Sequence, residues 1–248
     1  MRRIICISAL LFSVSLSAQE KFYVSESIHE SAKIDYTGAN ELTERRTENS
    51  TTYQFDNGKV IIENSSKPIN YKKNGRWERI NLEAKNFQQG LLFPNQEHPL
   101  FISDIGVVSV DYGGKNSFQY IPYVSEFSAP KLKEVGAAKY ELSQGGKRQN
   151  FEIRENGVKS SIMIDGFEGN QNEELRLTET FLLPKNGKIA FAEGRGTLKE
   201  GKWFGSLIIT DGSGICIGTI GGAICIDANK KFELAGYEIL NTGETWKV

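Results

Sequence analysis

Short apolar runs separated by glycine and asparagine turns fill this chain from Thr51 onward, and they restrict its fold more than any other feature. The run TTYQF is followed by DNG and KVIIE, and INYKK is followed by NG and RWERINL. β-Branched and aromatic residues favour strands, and Asn-Gly favours a tight hairpin turn because both residues tolerate positive φ. The pattern predicts an all-β protein of one or more antiparallel β-sandwiches built from hairpins, with little helix.

The same alternation of strand and turn residues continues to the C-terminus. Further predicted strands include VKSSIMID, ELRLTETFLL, GKWFGSLIIT and FELAGYEIL. Nearly every gap between such runs contains glycine, asparagine or proline, as expected for exposed turns. The whole region after Thr51 is therefore predicted to be β-rich.

The N-terminus has the pattern of a secretory signal peptide. Arg2 and Arg3 precede an apolar run over residues 4–16 that closes on small side chains. We predict that residues 1–19 are cleaved and that the protein is secreted, periplasmic or located at the cell surface. The run is too short to span a bilayer, and no later stretch approaches the roughly 20 apolar residues that a spanning helix needs, so no transmembrane segment is predicted.

The sequence predicts four segments. Residues 1–19 are the signal peptide, and residues 20–50 are a polar extension with one weak strand near Phe22. Residues 51–128 form a first β subdomain and residues 129–248 a second, or the two are one continuous domain. The boundary is placed where Pro130 and small residues interrupt the strand pattern.

Charge and motifs exclude several functions. The 30 basic and 31 acidic residues give a net charge of −1, which supplies no field to attract nucleic acid. The two histidines, His29 and His98, lie in the polar extension and beside a proline, and no G-x-S-x-G or H-E-x-x-H motif is present. We predict a protein that is not an enzyme and has no cofactor.

The stretch GICIGTIGGAICID, residues 214–227, contains two cysteines mirrored about a glycine-rich centre. If the two arms form a hairpin centred after Ile220, Cys216 faces Cys225 at a spacing that a disulfide can close. An oxidising compartment favours this bridge. The alternatives are two buried thiols packed as small apolar groups, or a redox or metal site, although C-x8-C matches neither C-x-x-C nor a four-ligand zinc set.

Three aromatic residues are candidates for stacking on a sugar. Tyr71 and Trp77 flank the Asn74-Gly75 turn and are predicted to share one face of the hairpin, and Trp203 follows another glycine turn. The alternative is that these rings anchor the core of a sandwich.

One acidic loop is a weak candidate for calcium. The stretch IDGFEGNQNEELRL places four oxygen ligands close together in sequence, Asp165, Glu168, Asn170 and Asn172. Their spacing does not fit an EF-hand, and the glycines favour a plain surface hairpin instead. Apart from these four candidates, no metal site is predicted.

The segment KPINYKKNGRWERIN resembles a hairpin that recurs in the N-terminal β module of large secreted bacterial surface proteins, where the module precedes Rhs/YD-type repeats, toxin cores or adhesin regions. The order of GVKSSIMIDG, GSLIITDGSGICIG and AICIDANKKFELAGYEIL is similar to that of the same module, so the likeness covers residues 51–246. The chain ends at TWKV and lacks the repeat region. The resemblance implies a structural or presenting role and transfers no catalytic residue.

The leading prediction is a secreted, non-catalytic β-rich structural or adhesive module that presents or binds another macromolecule, either a protein or a surface glycan. The alternative is a carbohydrate-binding protein or a glycan-active enzyme that uses exposed aromatic rings and paired carboxylates. Exposure of Tyr71, Trp77 and Trp203 would favour the alternative.

Overall fold

The computed structural model describes residues 35–111, 117–123, 131–155, 157–165, 176–226, 232–243 and 245–248, and the backbone alone of residues 4–11 and Phe232. These residues form strands joined by turns, which include the 3-10 turn Thr43–Arg45, with no α-helix among them. The predicted all-β fold is therefore confirmed. No helix within these ranges has the length and apolar character needed to cross a membrane.

Most of the strands are short, as the spacing of the turn residues predicts. The first eleven are β1 (Ile4–Leu11), β2 (Ala39–Glu41), β3 (Ser50–Phe55), β4 (Val60–Asn64), β5 (Asn70–Lys73), β6 (Arg76–Arg79), β7 (Lys85–Asn86), β8 (Gly90–Phe93), β9 (Leu100–Ser103), β10 (Val108–Asp111) and β11 (Ser117–Ile121). The remaining strands are β12 (Lys133–Gly136), β13 (Lys139–Gln144), β14 (Lys147–Arg154), β15 (Gly157–Ile164), β16 (Thr180–Leu182), β17 (Lys188–Lys199), β18 (Lys202–Thr210), β19 (Cys216–Ile220), β20 (Ala223–Ile226), β21 (Phe232–Ala235), β22 (Leu240–Asn241) and β23 (Trp246–Lys247).

The chain forms two compact units, which differ from the predicted subdomains. One is Ser15–Ile80, and the other combines Met1–Val14 with Asn81–Val248. The structure thus divides the chain after Ile80 and not between residues 128 and 129. β11 and β16 lie on either side of the predicted boundary, yet they pair in one sheet and bury side chains in the same core.

The smaller unit contains the sheets β2-β3-β4 and β5-β6. The hairpin predicted from TTYQF and KVIIE is present as β3 and β4, and the turn between β5 and β6 has positive φ at Asn74 (51°) and Gly75 (78°). The predicted polar extension over residues 20–50 needs correction, because Ala39–Glu41 pairs with β3 as a regular strand. Residues 20–34 lie outside the described part of the chain.

The larger unit contains three antiparallel sheets. Their strand orders are β12-β13-β14-β15-β1-β20-β21, β22-β23-β16-β11-β10-β9-β8-β7 and β17-β18-β19. All three supply side chains to one hydrophobic core, for example Phe151 from the first sheet, Phe181 from the second and Leu207 from the third. Burial alternates along β14 and β15, so one face of the first sheet covers this core and the other faces outward.

Candidate functional site

The predicted signal peptide supplies the strand that joins the two parts of the seven-stranded sheet. β1 pairs along its whole length with β15, from Ile4 opposite Ile164 to Leu11 opposite Gly157. On its other side it pairs with β20 at three positions, residues 5–7 opposite 224–226. β1 is antiparallel to both neighbours. We call the space between β15 and β20 the strand slot.

The sheet beside the strand slot has one buried and one exposed apolar face. On the inner face of β15, Ser160 and Ile162 are almost fully buried. On the outer face, Ile224 of β20 and Leu234 of β21 are direct cross-strand partners and are 36% and 68% exposed. Apolar side chains at this degree of exposure next to a sheet edge are typical of surfaces that contact another chain.

A cavity of about 340 Å³ lies in the larger unit and takes part of its wall from the strands beside the slot. Ile162, Ala223 and Ala235 come from β15, β20 and β21, and Leu177 and Leu240 add to the apolar wall. Because Glu179 also lines it, we call this space the Glu179 cavity. Its volume lies in the range of small-molecule sites, which is about 300 to 1,000 Å³.

Five charged residues line the Glu179 cavity. Three are basic, Arg176, Lys202 and Lys247, and two are acidic, Glu179 and Glu238. Arg176 and Glu238 form an ion pair of 3.6 Å whose side chains are 69% and 54% exposed, so they lie at the surface. Glu179 is only 6% exposed. The cavity therefore combines an exposed charged rim, an apolar wall and one buried carboxyl group.

The buried carboxyl group of Glu179 belongs to a hydrogen-bonded cluster in the core. The Tyr120 hydroxyl donates to Glu179 Oε1 at 2.5 Å. Gln149 Nε2 donates to the Tyr120 oxygen and to Ser160 Oγ, both at 2.9 Å. Tyr120, Gln149 and Ser160 are each fully buried, and their backbones belong to β11, β14 and β15. The cluster thus ties the eight-stranded sheet to the seven-stranded sheet behind the cavity.

Burial raises the pKa of Glu179 from its ordinary value of 4.5 to about 7, and the hydrogen bond from Tyr120 partly offsets this by lowering it. Loss of solvation disfavours the charged form of a carboxyl group. Burial also raises the pKa of the Tyr120 phenol well above 10, and the nearby Glu179 carboxylate raises it further. Near neutral pH, Glu179 can therefore exist as a neutral carboxylic acid and Tyr120 as a neutral phenol.

Tyr237 fixes the cavity wall at the base of the β20–β21 hairpin. Its hydroxyl donates to the carbonyl oxygen of Gly221 at 2.7 Å, just before β20 begins. Its backbone exchanges two hydrogen bonds with Trp203 of β18, at 2.8 and 3.0 Å. Burial raises the pKa of the Tyr237 phenol strongly, and the Glu179 carboxylate raises it further. The hairpin is therefore anchored to the three-stranded sheet.

Two of the three predicted stacking rings are not available to a ligand. Tyr71 is 6% exposed, and its hydroxyl donates to Glu78 Oε2 at 3.1 Å. Trp203 is 8% exposed, donates from Nε1 to the Ser206 carbonyl oxygen at 2.8 Å, and stacks on Phe191 with ring centroids 4.9 Å apart. The structure corrects both assignments, since these rings serve the packing of their own units.

Trp77 is half-buried and does not share a face with Tyr71. In the β5–β6 hairpin Tyr71 is opposite Glu78 and Lys72 is opposite Trp77, so Tyr71 and Trp77 point to opposite faces. The two-residue turn fixes this parity, and the predicted shared face is wrong. Lys72 Nζ lies 5.2 Å from the centroid of the Trp77 ring. A lysine ammonium thus covers one face of this half-buried ring.

The two cysteines do not face each other across a hairpin. Cys216 in β19 is opposite Thr210 of β18, whereas Cys225 in β20 is opposite Glu233 of β21. The Cys216 thiol is reduced and donates to the Gly218 carbonyl oxygen at 3.4 Å. The predicted Cys216–Cys225 disulfide is therefore corrected: the chain crosses from one sheet to another between the two strands instead of turning back on itself.

The calcium candidates fall mostly outside the described residues. Of the four, only Asp165 is described, and Arg148 Nη2 lies 3.1 Å from its Oδ2. Glu168, Asn170 and Asn172 lie in the undescribed range 166–175. Within the described ranges no group of three or more His, Cys, Asp or Glu side chains could hold a metal ion.

Comparison with known proteins does not place this chain in a family. No family model, no curated protein and no solved structure matches it. The resemblance to N-terminal modules of secreted surface proteins stays a prediction. The strand slot and the Glu179 cavity are therefore the two candidate functional sites of this chain.

The sequence reasoning missed Glu179 and its cluster. Glu179 lies inside the predicted strand ELRLTETFLL, two positions before the fully buried Phe181. An acidic side chain at an inward-facing position of an apolar strand is the one local signal of a buried carboxyl group. Its partner Tyr120 is 59 positions earlier, so no local spacing joins the two.

Proposed function

We propose that this chain is an exported, non-catalytic β module that binds another polypeptide by receiving an extended apolar segment of that partner into the strand slot. The observation that carries the proposal is that the predicted signal peptide itself fills the slot as β1. Two further features support it: the anchored hairpin on one side of the slot, and the apolar surface beside it.

Removal of the leader would take all of β1 with it. Eight residues of β15 and three residues of β20 pair with β1, and both strands would lose these hydrogen bonds. Buried backbone N–H and C=O groups are stable only when they are paired, and an open sheet edge is a template for an incoming strand. In the mature chain, β15 and β20 would thus each have an edge with unpaired backbone N–H and C=O groups. A single inserted strand can pair with both edges.

The geometry of the slot favours one inserted strand over closure of the gap. Because β1 is antiparallel to both neighbours, β15 and β20 run in the same direction, and their separation is about two strand spacings of 4.8 Å. Tyr237 ties the base of the β20–β21 hairpin to Gly221 and Trp203. To close the gap, this hairpin would have to move by a strand width and break those bonds.

The chemistry of the slot defines the partner. The segment that fills it, IICISALL, is uncharged and apolar apart from one serine, whose register position is opposite Ser160. Ile224 and Leu234 lie exposed beside it on the outer face. The partner segment is thus an uncharged, mainly apolar stretch of about eight residues that runs antiparallel to β15, as in other cases of strand addition.

A peptide-binding experiment tests the proposal. The exported protein is expected to begin near Glu20 by intact mass, and this mature chain should bind a fluorescent peptide carrying residues 4–11 with flanking lysines for solubility. Ile7→Pro in the peptide should weaken binding about tenfold or more, because proline lacks the N–H that a central strand donates. Hydrogen exchange should show new protection at slot-facing amides of β15 when the peptide binds.

Two results would overturn the partner assignment. Equal binding of the proline peptide would mean that no strand is formed. Full protection of β15 in the mature chain without peptide would mean that the slot is already closed. If that protection disappears when residues 20–34 are deleted, the occupant is the chain's own segment near Phe22 and not a partner.

A further inference from the structure

The Glu179 cavity has the size and lining of a small-ligand site, and it shares the strands β15 and β20 with the strand slot. Its wall is apolar on the side of Leu177, Ala223, Ala235 and Leu240. Small-molecule sites typically combine such a wall with a few polar groups that fix the orientation of the ligand. The cavity exists with β1 in place, so a ligand bound there does not depend on removal of the leader.

The charges around the cavity favour an anionic ligand. Arg176, Lys202 and Lys247 line it together with Glu238 and Glu179. Glu238 is already paired with Arg176 at the surface. When Glu179 is neutral, the lining holds three cationic side chains, the Glu238 carboxylate and the C-terminal residue Val248, whose carboxylate oxygen accepts a hydrogen bond from the Glu179 backbone N–H at 2.9 Å. An anionic group at the rim is therefore favoured over a cationic one.

Glu179 is the buried carboxyl residue in the lining of the cavity. Its Oε1 accepts the hydrogen bond from Tyr120, and the residue lines the cavity while being 6% exposed. A neutral carboxylic acid carries one O–H donor, which can bond to an acceptor oxygen of a ligand. An ionised Glu179 would instead repel an anion. The protonation state of this one residue thus sets whether the interior of the cavity accepts a negative charge.

We infer that the Glu179 cavity binds a small amphipathic organic anion, a monocarboxylate with a short apolar body. The apolar body packs against Leu177, Ala223, Ala235 and Leu240, and the carboxylate lies near Lys202 and Lys247. This ligand class is the one that satisfies the apolar wall and the cationic rim together. The site is distinct from the polypeptide contact proposed for the strand slot.

The two phenols next to Glu179 stay protonated near neutral pH. Burial keeps the pKa values of the Tyr120 and Tyr237 phenols above the ordinary value of 10. Arg176, Lys202, Lys247 and Glu238 are the remaining charged side chains of the lining. The pKa of Glu179 is about 7, so it is mostly neutral at pH 6 and mostly ionised at pH 8. Affinity for an anion should therefore fall as the pH rises through 7.

Decanoate is a suitable probe, and residues 1–248 produced without export keep β1 in the slot. We expect saturable 1:1 binding by calorimetry with a Kd of about 0.1 mM at pH 6, and binding about fivefold weaker at pH 8. Decylammonium, which has the same apolar body and the opposite charge, should bind at least about fivefold more weakly than decanoate at pH 6.

Two cavity variants and one surface variant separate the contributions. Lys247→Met should weaken decanoate binding about fivefold at both pH values, whereas Lys199→Met, on the exposed end of β17, should leave it unchanged. Glu179→Gln should remove the difference between pH 6 and pH 8. If Lys247→Met does not fold by circular dichroism, Lys202→Met takes its place.

Three outcomes would overturn the inference. They are the absence of saturable decanoate binding, equal binding of decylammonium, and an equal effect of the Lys247 and Lys199 variants. Persistence of the pH dependence in Glu179→Gln would remove Glu179 from the site. None of these results bears on the strand slot, which the peptide experiment tests on the mature chain.

Discussion

Replacing Glu179 by Gln is expected to make the unfolding free energy less dependent on pH. Between pH 4.5 and pH 8 the wild-type protein should lose about 3 kcal/mol of unfolding free energy because of Glu179, and the variant should not show this loss. The folded-state pKa of this carboxyl group is raised to about 7, against an ordinary value of 4.5. Between these values the folded protein binds more protons than the unfolded chain, so stability falls as the pH rises through this window. The full penalty of a buried carboxylate is reached about one pH unit above the folded-state pKa, near pH 8.

Glutamine keeps the shape of the side chain and an oxygen that can accept from Tyr120, but it does not ionise. The measurement is urea unfolding at several pH values for wild type, Glu179→Gln and the control Glu193→Gln, which alters an exposed residue of β17. Other titrating groups contribute equally to wild type and variant and cancel in the difference. A difference between wild type and Glu179→Gln that stays constant from pH 4.5 to pH 8 would show that Glu179 is not a buried titrating group.

Local turn chemistry explains which parts of the fold the sequence predicts well. The β3–β4 and β5–β6 hairpins are each closed within a few residues, and Asn74 and Gly75 adopt positive φ values, which these two residue types tolerate. In both hairpins, residues that are close together in sequence determine which positions form strands and which form the turn. The class of fold follows from many such local decisions.

The cysteine segment shows where this reasoning fails. Glycines placed symmetrically about the bond between Ile220 and Gly221 suggest a hairpin, but in the structure this segment is a crossover between two sheets. A Cβ on Gly222 would lie 3.7 Å from the backbone of Gly205, so the chain passes close to β18 at this point. β19 then continues one sheet and β20 another. The choice depends on strands far away in sequence, which the local pattern does not contain.

The candidate site could not be predicted from the sequence for the same reason. Glu179 is close to Tyr120 only because β11 and β16 are neighbours in the eight-stranded sheet. The slot could not be predicted because a signal-peptide pattern gives no reason to expect a strand within a sheet. Both sites depend on strand pairings between segments that are distant in sequence. The apolar periodicity of a strand predicts which face of the sheet a residue lies on, but not which strand lies beside it.

Replacing Tyr120 by Phe is expected to lower the unfolding free energy by about 2 kcal/mol at pH 8 and by about 1 kcal/mol at pH 5. The hydroxyl is fully buried, donates to Glu179 Oε1 and accepts from Gln149 Nε2. At pH 8 its loss leaves a buried carboxylate without this donor, whereas at pH 5 the acceptor is a neutral acid. Because the Tyr120 hydrogen bond lowers the pKa of Glu179, that pKa should also rise further in the variant.

Two comparisons identify the hydroxyl as the cause of this loss. Tyr140→Phe removes the hydroxyl of another buried ring, for which the described residues provide no hydrogen-bond partner, and it should change stability by less than about 1 kcal/mol at either pH. In the double variant with Glu179→Gln, loss of the Tyr120 hydroxyl should cost the same at both pH values, since the acceptor no longer ionises. A pH-dependent cost that survives in the double variant would mean that Tyr120 is coupled to some other titrating group. A cost equal to that of Tyr140→Phe would mean that the cluster behind the cavity contributes no stability through this bond.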